Sequence, residues 1–495
     1  MLWTLIVRRI RSRRLGLLSG TLRSVFVGAV LLVLPSQGLL GENMSVEDAA
    51  VAAVANSQSL MIRRHEEQKA QHALAEARGR LWPKIDLQAS ASYLTNPQEG
   101  MVIRKGSLGY APSYDSPFPT AIPDQDFVLV EDPEDTYFSI SGTLTQPLFT
   151  WFKLKNAISA ATVDFEIARY GTYGARQAIT RDVRLAYFGG VLARESVGIL
   201  QEALATANEI LRDRQRSFDE GIINLYTLLE AKSNLAAMQS QLVQAHESYA
   251  TALAMLGYFT GTDTASVDLI SEFRTNLPGL DEDTLRTVGL QLSSDLNIAR
   301  SRLQQARAFL RIQRGALPLL PDVSLVVKID VTGQRVPVLG ANWTESWDTN
   351  VIVTLGTQTK LFDGLQSYRK VGQAQEQLEM AAIGLSELEK ASALQIRRAI
   401  EAVRIAHATL EKQEAKLDEV REQYKNAQVS YQNDLITRQE ERSSRLLMHA
   451  TELERIVGLY SLERALTELE FLVGDLVADD SVADDSVADD QTADK

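Results

Sequence analysis

The sequence predicts a mixed α and β membrane protein made of long α-helical hairpins packed as coiled coils and four β-strands per protomer, arranged in two internal repeats. Three observations carry this. Residues 148–261 can be laid on residues 361–474 without a gap, which brings Leu148-Phe149 onto Leu361-Phe362, Ala161 onto Ala374, Arg184 onto Arg397, Leu204 onto Leu417, Gln215 onto Gln428 and Gly261 onto Gly474. Self-similarity of that extent means one supersecondary unit used twice, each copy needing a neighbour to bury its apolar face. Four segments then alternate apolar and polar residues with the period of a strand, and one segment keeps a strict heptad over five turns of the pattern.

The first 38 residues hold six arginines and no acid, followed by the apolar run Val25–Leu34. That order is the one of an export signal, and the run is too short to cross a bilayer as a helix. Ser36 and Gly38 fit a cut after Gly38, giving a signal peptide over 1–38; an uncleaved anchor is the alternative. Residues 45–80 open with Ser45 three before Asp48, a capping signal, and read as helix to a stop at Trp82-Pro83. Ile85, Leu87, Ala89, Ala91 and Tyr93 then alternate with Asp86, Gln88, Ser90 and Ser92.

Residues 96–135 form a long connection with six prolines and acids that include Asp124, Asp126, Glu131 and Asp132. A loop of that length is either a functional outer loop or a surface loop without a specific role. The second strand, 136–149, sets Phe138, Ile140, Leu144 and Leu148 against Ser139, Ser141, Thr143 and Thr145. The second half offers the same pair, Val323 to Val331 and Val351 to Leu355. A helix over 151–216 turns at Ser217–Gly221, where Gly221 can take the left-handed conformation that ends a helix. It returns over 222–259 with Leu228, Leu235, Leu242, Tyr249 and Leu256 every seven residues, each followed three later by Ala231, Met238, Ala245, Ala252 or Phe259. Residues 364–430 and 435–475 form the corresponding hairpin. A helix of about 60 residues extends about 90 Å, far more than a bilayer is thick.

Composition excludes several classes. The chain has 51 Lys and Arg against 64 Asp and Glu, and six of the basic residues lie in the first 38, so the remainder is strongly acidic and poorly suited to nucleic acid. With no cysteine, neither a disulfide scaffold nor a lipid-anchored N-terminus is possible. No phosphate-binding Gly-Lys loop, His-Glu-x-x-His or cysteine nucleophile occurs, so the chain is not read as an enzyme and no cofactor is expected. His65 and His72 share a helix face, but seven-residue spacing is wrong for a metal pair. The tail over 475–495 repeats Ser481–Asp485 as Ser486–Asp490; it lacks the turn and terminal Glu of a calcium loop and reads as an acidic disordered extension.

Four strands of about ten residues can each cross a bilayer at a tilt, but four alone leave two unpaired edges. Three copies supply twelve strands and close the ladder. The competing arrangement is a soluble sheet packed on the helices. Trp82, Trp151, Trp343, Trp347, Tyr93 and Tyr137 fall near strand ends, where interfacial belts or junction packing would place them.

The duplicated order of helix, strand, strand and long hairpin, with Pro147-Leu-Phe-Thr-Trp151 and Leu361-Phe-Asp-Gly364 at the strand-to-helix transitions and Ser45-Val-Glu-Asp-Ala-Ala50 at the start, resembles the TolC-type outer-membrane efflux proteins. The resemblance implies a homotrimer with a 12-stranded barrel in outer-membrane lipid and a periplasmic barrel of helices. It implies two repeats, 39–261 and 262–474, and an exit duct serving a tripartite efflux pump or type I secretion system. Its partners would be a periplasmic adaptor protein and an inner-membrane transporter. The family closes its periplasmic end at the hairpin tips, with Tyr, Gly three later and acids six and nine beyond the Gly. Here Tyr431 stands, Asp434 replaces the Gly, Glu440 holds the first acidic place and Ser443 the second. Asp434, Glu440 and Glu441 are therefore the candidate gate residues, with Thr227 and Glu230 at the matching places of the first tip, and Gly221 and Asp434 as the helix-tip turns. Solvated helix-surface charges are the alternative for each. A soluble periplasmic coiled-coil scaffold or adaptor is the alternative for the whole chain. The exported substrate is not encoded in any of these features.

Overall fold

The computed structural model describes residues 43–95, 101–112, 118–130, 135–264, 267–275, 277, 281–334 and 347–474. The expected signal peptide, Glu131, Asp132, Trp343 and the acidic tail lie outside them. In chain order the elements are β1 (Asn43–Met44), α1 (Val46–Asn56), α2 (Gln58–Gly79), β2 (Lys84–Tyr93), β3 (Met101–Ile103), β4 (Tyr110–Ala111), β5 (Thr120–Ala121), β6 (Phe127–Val130) and β7 (Thr136–Phe149). They continue with α3 (Lys153–Asp219), α4 (Leu225–Thr260), β8 (Asp268–Leu269), α5 (Glu282–Leu292), α6 (Ser294–Gly315), β9 (Asp322–Gly333), β10 (Trp347–Gln358), α7 (Gln366–Gln432) and α8 (Arg438–Val473). The halves match in length as well as order: α3 and α7 each have 67 residues, α4 and α8 each 36.

Residues 45–80, expected as one helix, are two. Ser57 leaves the helical region at φ −64° and ψ 114°, and its Oγ accepts from the Leu60 amide at 3.2 Å, so one serine ends α1 and caps α2. Serine's habit of hydrogen-bonding the backbone beside it drives such breaks. Ser293 does the same between α5 and α6. The described parts of the connection 96–135 hold two short strand pairs, β3 with β6 and β4 with β5.

The principal sheet runs β10-β9-β7-β2, antiparallel throughout. The chain passes from sheet to helices through backbone that side chains rarely adopt. Trp151 and Phe152 have φ of 50° and 60° before α3, and Leu365 has 64° before α7. The Trp151 indole donates to the Pro321 carbonyl at 2.9 Å, and Lys153 pairs with Asp322, so the start of α3 is held against the start of β9.

The heptad positions of α4 are all buried or half-buried, from Leu228 and Leu256 at 2% and 0% exposure to Met238 and Phe259, while Leu229, Val243 and Met255 between them face outward. α4 packs on α3 and α8 on α7, and the hairpins meet where α3 lies along α8. Apolar burial is concentrated in a hub where the tip-distal ends of α4 and α8 pack against the middle of α3 and α7. One cluster gathers Ala49, Ala53, Val183, Tyr187, Phe188, Leu256 and Leu269; the other gathers Ile396, Ile400, Val403, Leu462, Leu466 and Leu469, and Phe273 touches both. β1 and β8 pair in parallel across the hub, and the buried Tyr187 hydroxyl donates to the Met44 carbonyl at 2.7 Å while accepting from the Ser271 amide at 2.9 Å.

An ion cluster crosses the same hub. Arg274 binds Glu463 in two places, 2.7 and 3.0 Å, and also reaches Glu470, which takes Arg184 at 2.7 Å. Glu463 is 1% exposed and Glu470 8%. Burial works against the Arg274 charge, but hydrogen bonds to Glu463 and Glu470 outweigh it and hold the guanidinium above its ordinary pKa.

Candidate functional site

Two surfaces have geometry suited to work: the faces of the main sheet and the tips of the hairpins. Cross-strand register sorts the sheet into two chemistries. Leu87, Ala89 and Ala91 of β2 stand opposite Gly142, Ile140 and Phe138 of β7, and the row continues through Ile329 and Val331 of β9 to Val351 and Thr349 of β10. On the other face Asp86, Gln88 and Ser90 meet Thr143, Ser141 and Ser139, then Lys328, Asp330 and Thr332, then Ile352, Asn350 and Asp348. Period two along the strands produces this, and Val326 and Ile352 interrupt the polar side.

The apolar face is bare. Ile85 is 73% exposed, Leu87 77%, Val353 66% and Leu355 66%, values incompatible with a sheet packed on helices. The outer strands β2 and β10 also present free backbone edges within one chain. Among the described residues, no helix is long and apolar enough to cross a membrane. Trp82 is 74% exposed at the foot of β2, whereas Trp151 is spent on the junction with Pro321 and Trp347 lies over Gly333 with its ring 6.4 Å from Phe138.

Both hairpins reverse through the same backbone. Gly221 has φ 73° and Asp434 φ 57°; the Ser217 carbonyl accepts from the Ile222 amide at 2.8 Å and the Ser430 carbonyl from Leu435 at 2.9 Å. These are the contacts of a helix ending in a left-handed residue. The next helix is capped three residues on, by Asn224 in the first tip and Thr437 in the second.

That cap places the candidate residues in local roles. Thr227 donates its amide and hydroxyl to Asn224 Oδ1, each at 3.0 Å. Glu440 completes a capping box: its amide donates to Thr437 Oγ1 at 3.3 Å, while its carboxylate accepts from the Thr437 amide at 2.7 Å and hydroxyl at 2.9 Å. Those bonds, the backbone one first, hold the Glu440 carboxyl below the usual glutamate range. Glu440, Glu230, Asp434 and Ser443 are exposed, and Glu441 is half-buried. One chain supplies one Glu440, so a ring of Glu440 carboxylates needs further copies.

The residues that join the two tips escaped the sequence reading. Arg442 pairs with Glu209 at 3.2 Å and with Asp213, and Arg445 reaches the same Glu209 at 2.8 Å. One turn further, His449 is 5% exposed with Nδ1 3.4 Å from Glu452 and 3.7 Å from Glu202. The signal was present as matched stripes: Glu202, Glu209 and Asp213 on one face of α3 at spacings of seven and four, and Arg438, Arg442, Arg445 and His449 on one face of α8 at spacings of four, three and four.

Residues 50–262 match the family model described as outer membrane efflux protein. A search of curated proteins finds no match. Among solved structures, the chain is similar to CusC at 15% identity, with 88% of this chain and 93% of that chain covered and a TM-score of 0.68. It is similar to the Campylobacter jejuni CmeC outer membrane channel at 20% identity, covering 87% and 85%, TM-score 0.66. The outer membrane protein VceC from Vibrio cholerae aligns at 17% identity, covering 87% and 96%, TM-score 0.67. At these identities the likeness concerns the fold.

Proposed function

The chain belongs to the outer membrane efflux protein family through residues 50–262, and we propose on that premise that it assembles as a homotrimer into a duct. Twelve strands would close a barrel in the outer membrane, and the helices would extend into the periplasm. The single observation that carries the barrel is the bare apolar face of the β10-β9-β7-β2 sheet, continuous across all four strands and backed by a polar face that suits a water-filled lumen. Lipid covers such a face; within one chain nothing does. The free edges of β2 and β10 favour the same arrangement, because closure with two further copies satisfies every ladder bond.

The duct makes and breaks no bonds. It would receive substrates from an inner-membrane transporter through a periplasmic adaptor, as the exit of a tripartite pump or type I secretion system, and its control would lie at the tips. There the Arg442–Glu209–Asp213 tether holds the second hairpin against the first, and Glu440 and Glu441 of three copies supply a negative rim that attracts cations. The test is the mass and location of the complex. A heat-sensitive assembly of three chains in detergent extracts of the outer-membrane fraction is the expected result. A water-soluble monomer or dimer in the periplasm would overturn the barrel and leave the coiled-coil scaffold.

A further inference from the structure

Away from sheet and tips, α1, α3 and α8 line an open cavity of about 440 Å³. Val51, Val54, Tyr173 and Phe471 give it apolar wall, and Arg176, Arg181 and Arg184 give it guanidinium groups. Arg184 is committed to Glu470. Arg181 lies with its guanidinium carbon 4.3 Å from the Phe471 ring centroid, pairs with its neighbour Asp182 at 2.8 Å and reaches Glu468 only at 3.9 Å. Arg176 is exposed, and among the described residues its side chain has no hydrogen bond or ion pair. The lining carboxylates offset little of this charge: Glu470 is shared by two arginines, and Glu47 is exposed. An unpartnered guanidinium beside exposed apolar surface suits a segment that carries carboxylates and small apolar side chains together.

Beyond α8 the sequence holds such a segment. Thr467, Glu470, Phe471 and Gly474 succeed one another at i, i+3, i+4 and i+7, so α8 runs out on the stripe that lines the cavity. Gly474 then turns the backbone with φ 93°. Beyond it Val477-Ala-Asp-Asp480 recurs at Val482–Asp485 and Val487–Asp490, one valine and two adjacent carboxylates each time. Three to six extended residues reach about 10–20 Å, while Phe471 and Thr467 lie only about 5–10 Å back along the helix.

We propose that the acidic tail, residues 475–495, docks back into this cavity of its own chain, with the aspartates of one Val-Ala-Asp-Asp unit pairing Arg176 and Arg181 and the valine lying against Val51 and Phe471. Repetition of the unit raises its effective concentration, since any of the three copies can occupy the same cavity. The site is independent of the barrel and the gate, and its test does not depend on either.

Because the chain has no cysteine, an engineered pair reports without background. In the full-length protein carrying Val51→Cys and Ala478→Cys, mild oxidation is expected to give a reducible mobility shift at the mass of one chain. Adding Arg176→Gln and Arg181→Gln is expected to slow that crosslink about tenfold, and to speed removal of the tail by carboxypeptidase to a similar degree. Disulfides between chains would assign the tail to a neighbouring copy and overturn the proposal. Absence of any crosslink from Cys substitutions at Ala478, Ala483 and Ala488 would overturn it outright, and crosslinking undiminished by the arginine substitutions would remove its electrostatic basis.

Discussion

The two hairpins are tied together at both ends, and the two ties are built differently. At the hub, Arg274 and Arg184 hold Glu463 and Glu470, carboxylates 1% and 8% exposed. Near the tips, Arg442 and Arg445 hold Glu209 and Asp213, whose side chains are 42% and 30% exposed. A charge withdrawn from water is costly to leave alone, whereas one that water can reach is readily released. The hub tie is thus the harder to break and the tip tie the easier, an order that fits the duct proposed above if it opens at the tips.

Glu463→Leu tests the contrast most severely. It leaves Arg274 with Glu470 as its remaining carboxylate partner in the hub, and the expected loss is about 2–3 kcal/mol, read as a fall of the thermal midpoint of the whole assembly by circular dichroism. Arg442→Leu breaks the tip tie, and solvent screening limits the cost to about 1–2 kcal/mol. Its effect should be local: faster amide hydrogen exchange over residues 430–450 with the hub unchanged, and higher single-channel conductance. If the Arg442 variant instead lowers the global midpoint as far as the Glu463 variant, the two ties do the same job and the contrast fails.

The tips can be compared with each other as well as with the hub. Thr437→Ala removes the cap of α8 and the box with Glu440, for an expected loss of about 1 kcal/mol in local stability. Asn224→Ala should cost slightly less, because Thr227 returns no side-chain bond to the Asn224 amide. At the turn itself the sign reverses. Asp434 occupies left-handed backbone that Gly221 occupies without a Cβ, so Asp434→Gly is expected to stabilise the second tip by about 0.5–1 kcal/mol and Gly221→Ala to destabilise the first by a similar amount. Protease susceptibility at the two turns, measured side by side, checks all four substitutions.

Much of this was legible in the sequence because it depends on periodicity. The period-two rows of residues 85–93 and 136–149 became the two faces of the sheet, and the heptad of Leu228 to Leu256 became the buried stripe of α4, since both patterns follow directly from strand and helix geometry. Residues 45–80 were misread as one helix because Ser57 acts through a side-chain hydrogen bond that hydrophobic patterning does not register. The hub ion cluster was hidden for another reason: Arg274 sits in a connecting segment, and its partners Glu463 and Glu470 lie 189 and 196 residues away in sequence. Glu440 was picked for a role in a ring of copies, while its nearest partner, Thr437, was three residues away within the same chain.

Glu440 gives the smallest and most specific effect. Its carboxyl is held below the usual glutamate range by the Thr437 amide and then the Thr437 hydroxyl. A depressed folded-state pKa means the carboxylate stabilises the cap fully above the unfolded value, and that this contribution disappears as pH falls through the folded value. The second tip should therefore fray selectively in acid below the ordinary glutamate range, while the first tip, capped by the uncharged Asn224, should not respond. Glu440→Gln keeps the shape of the box and removes the titration, so it should level the difference between the tips in hydrogen exchange across that pH range. Convergence of three Glu440 carboxylates in a closed aperture would act in the opposite direction, raising the pKa by mutual repulsion. The direction in which Glu440 titrates in the assembled complex therefore separates a carboxylate that serves its own helix from one that faces its copies across the pore.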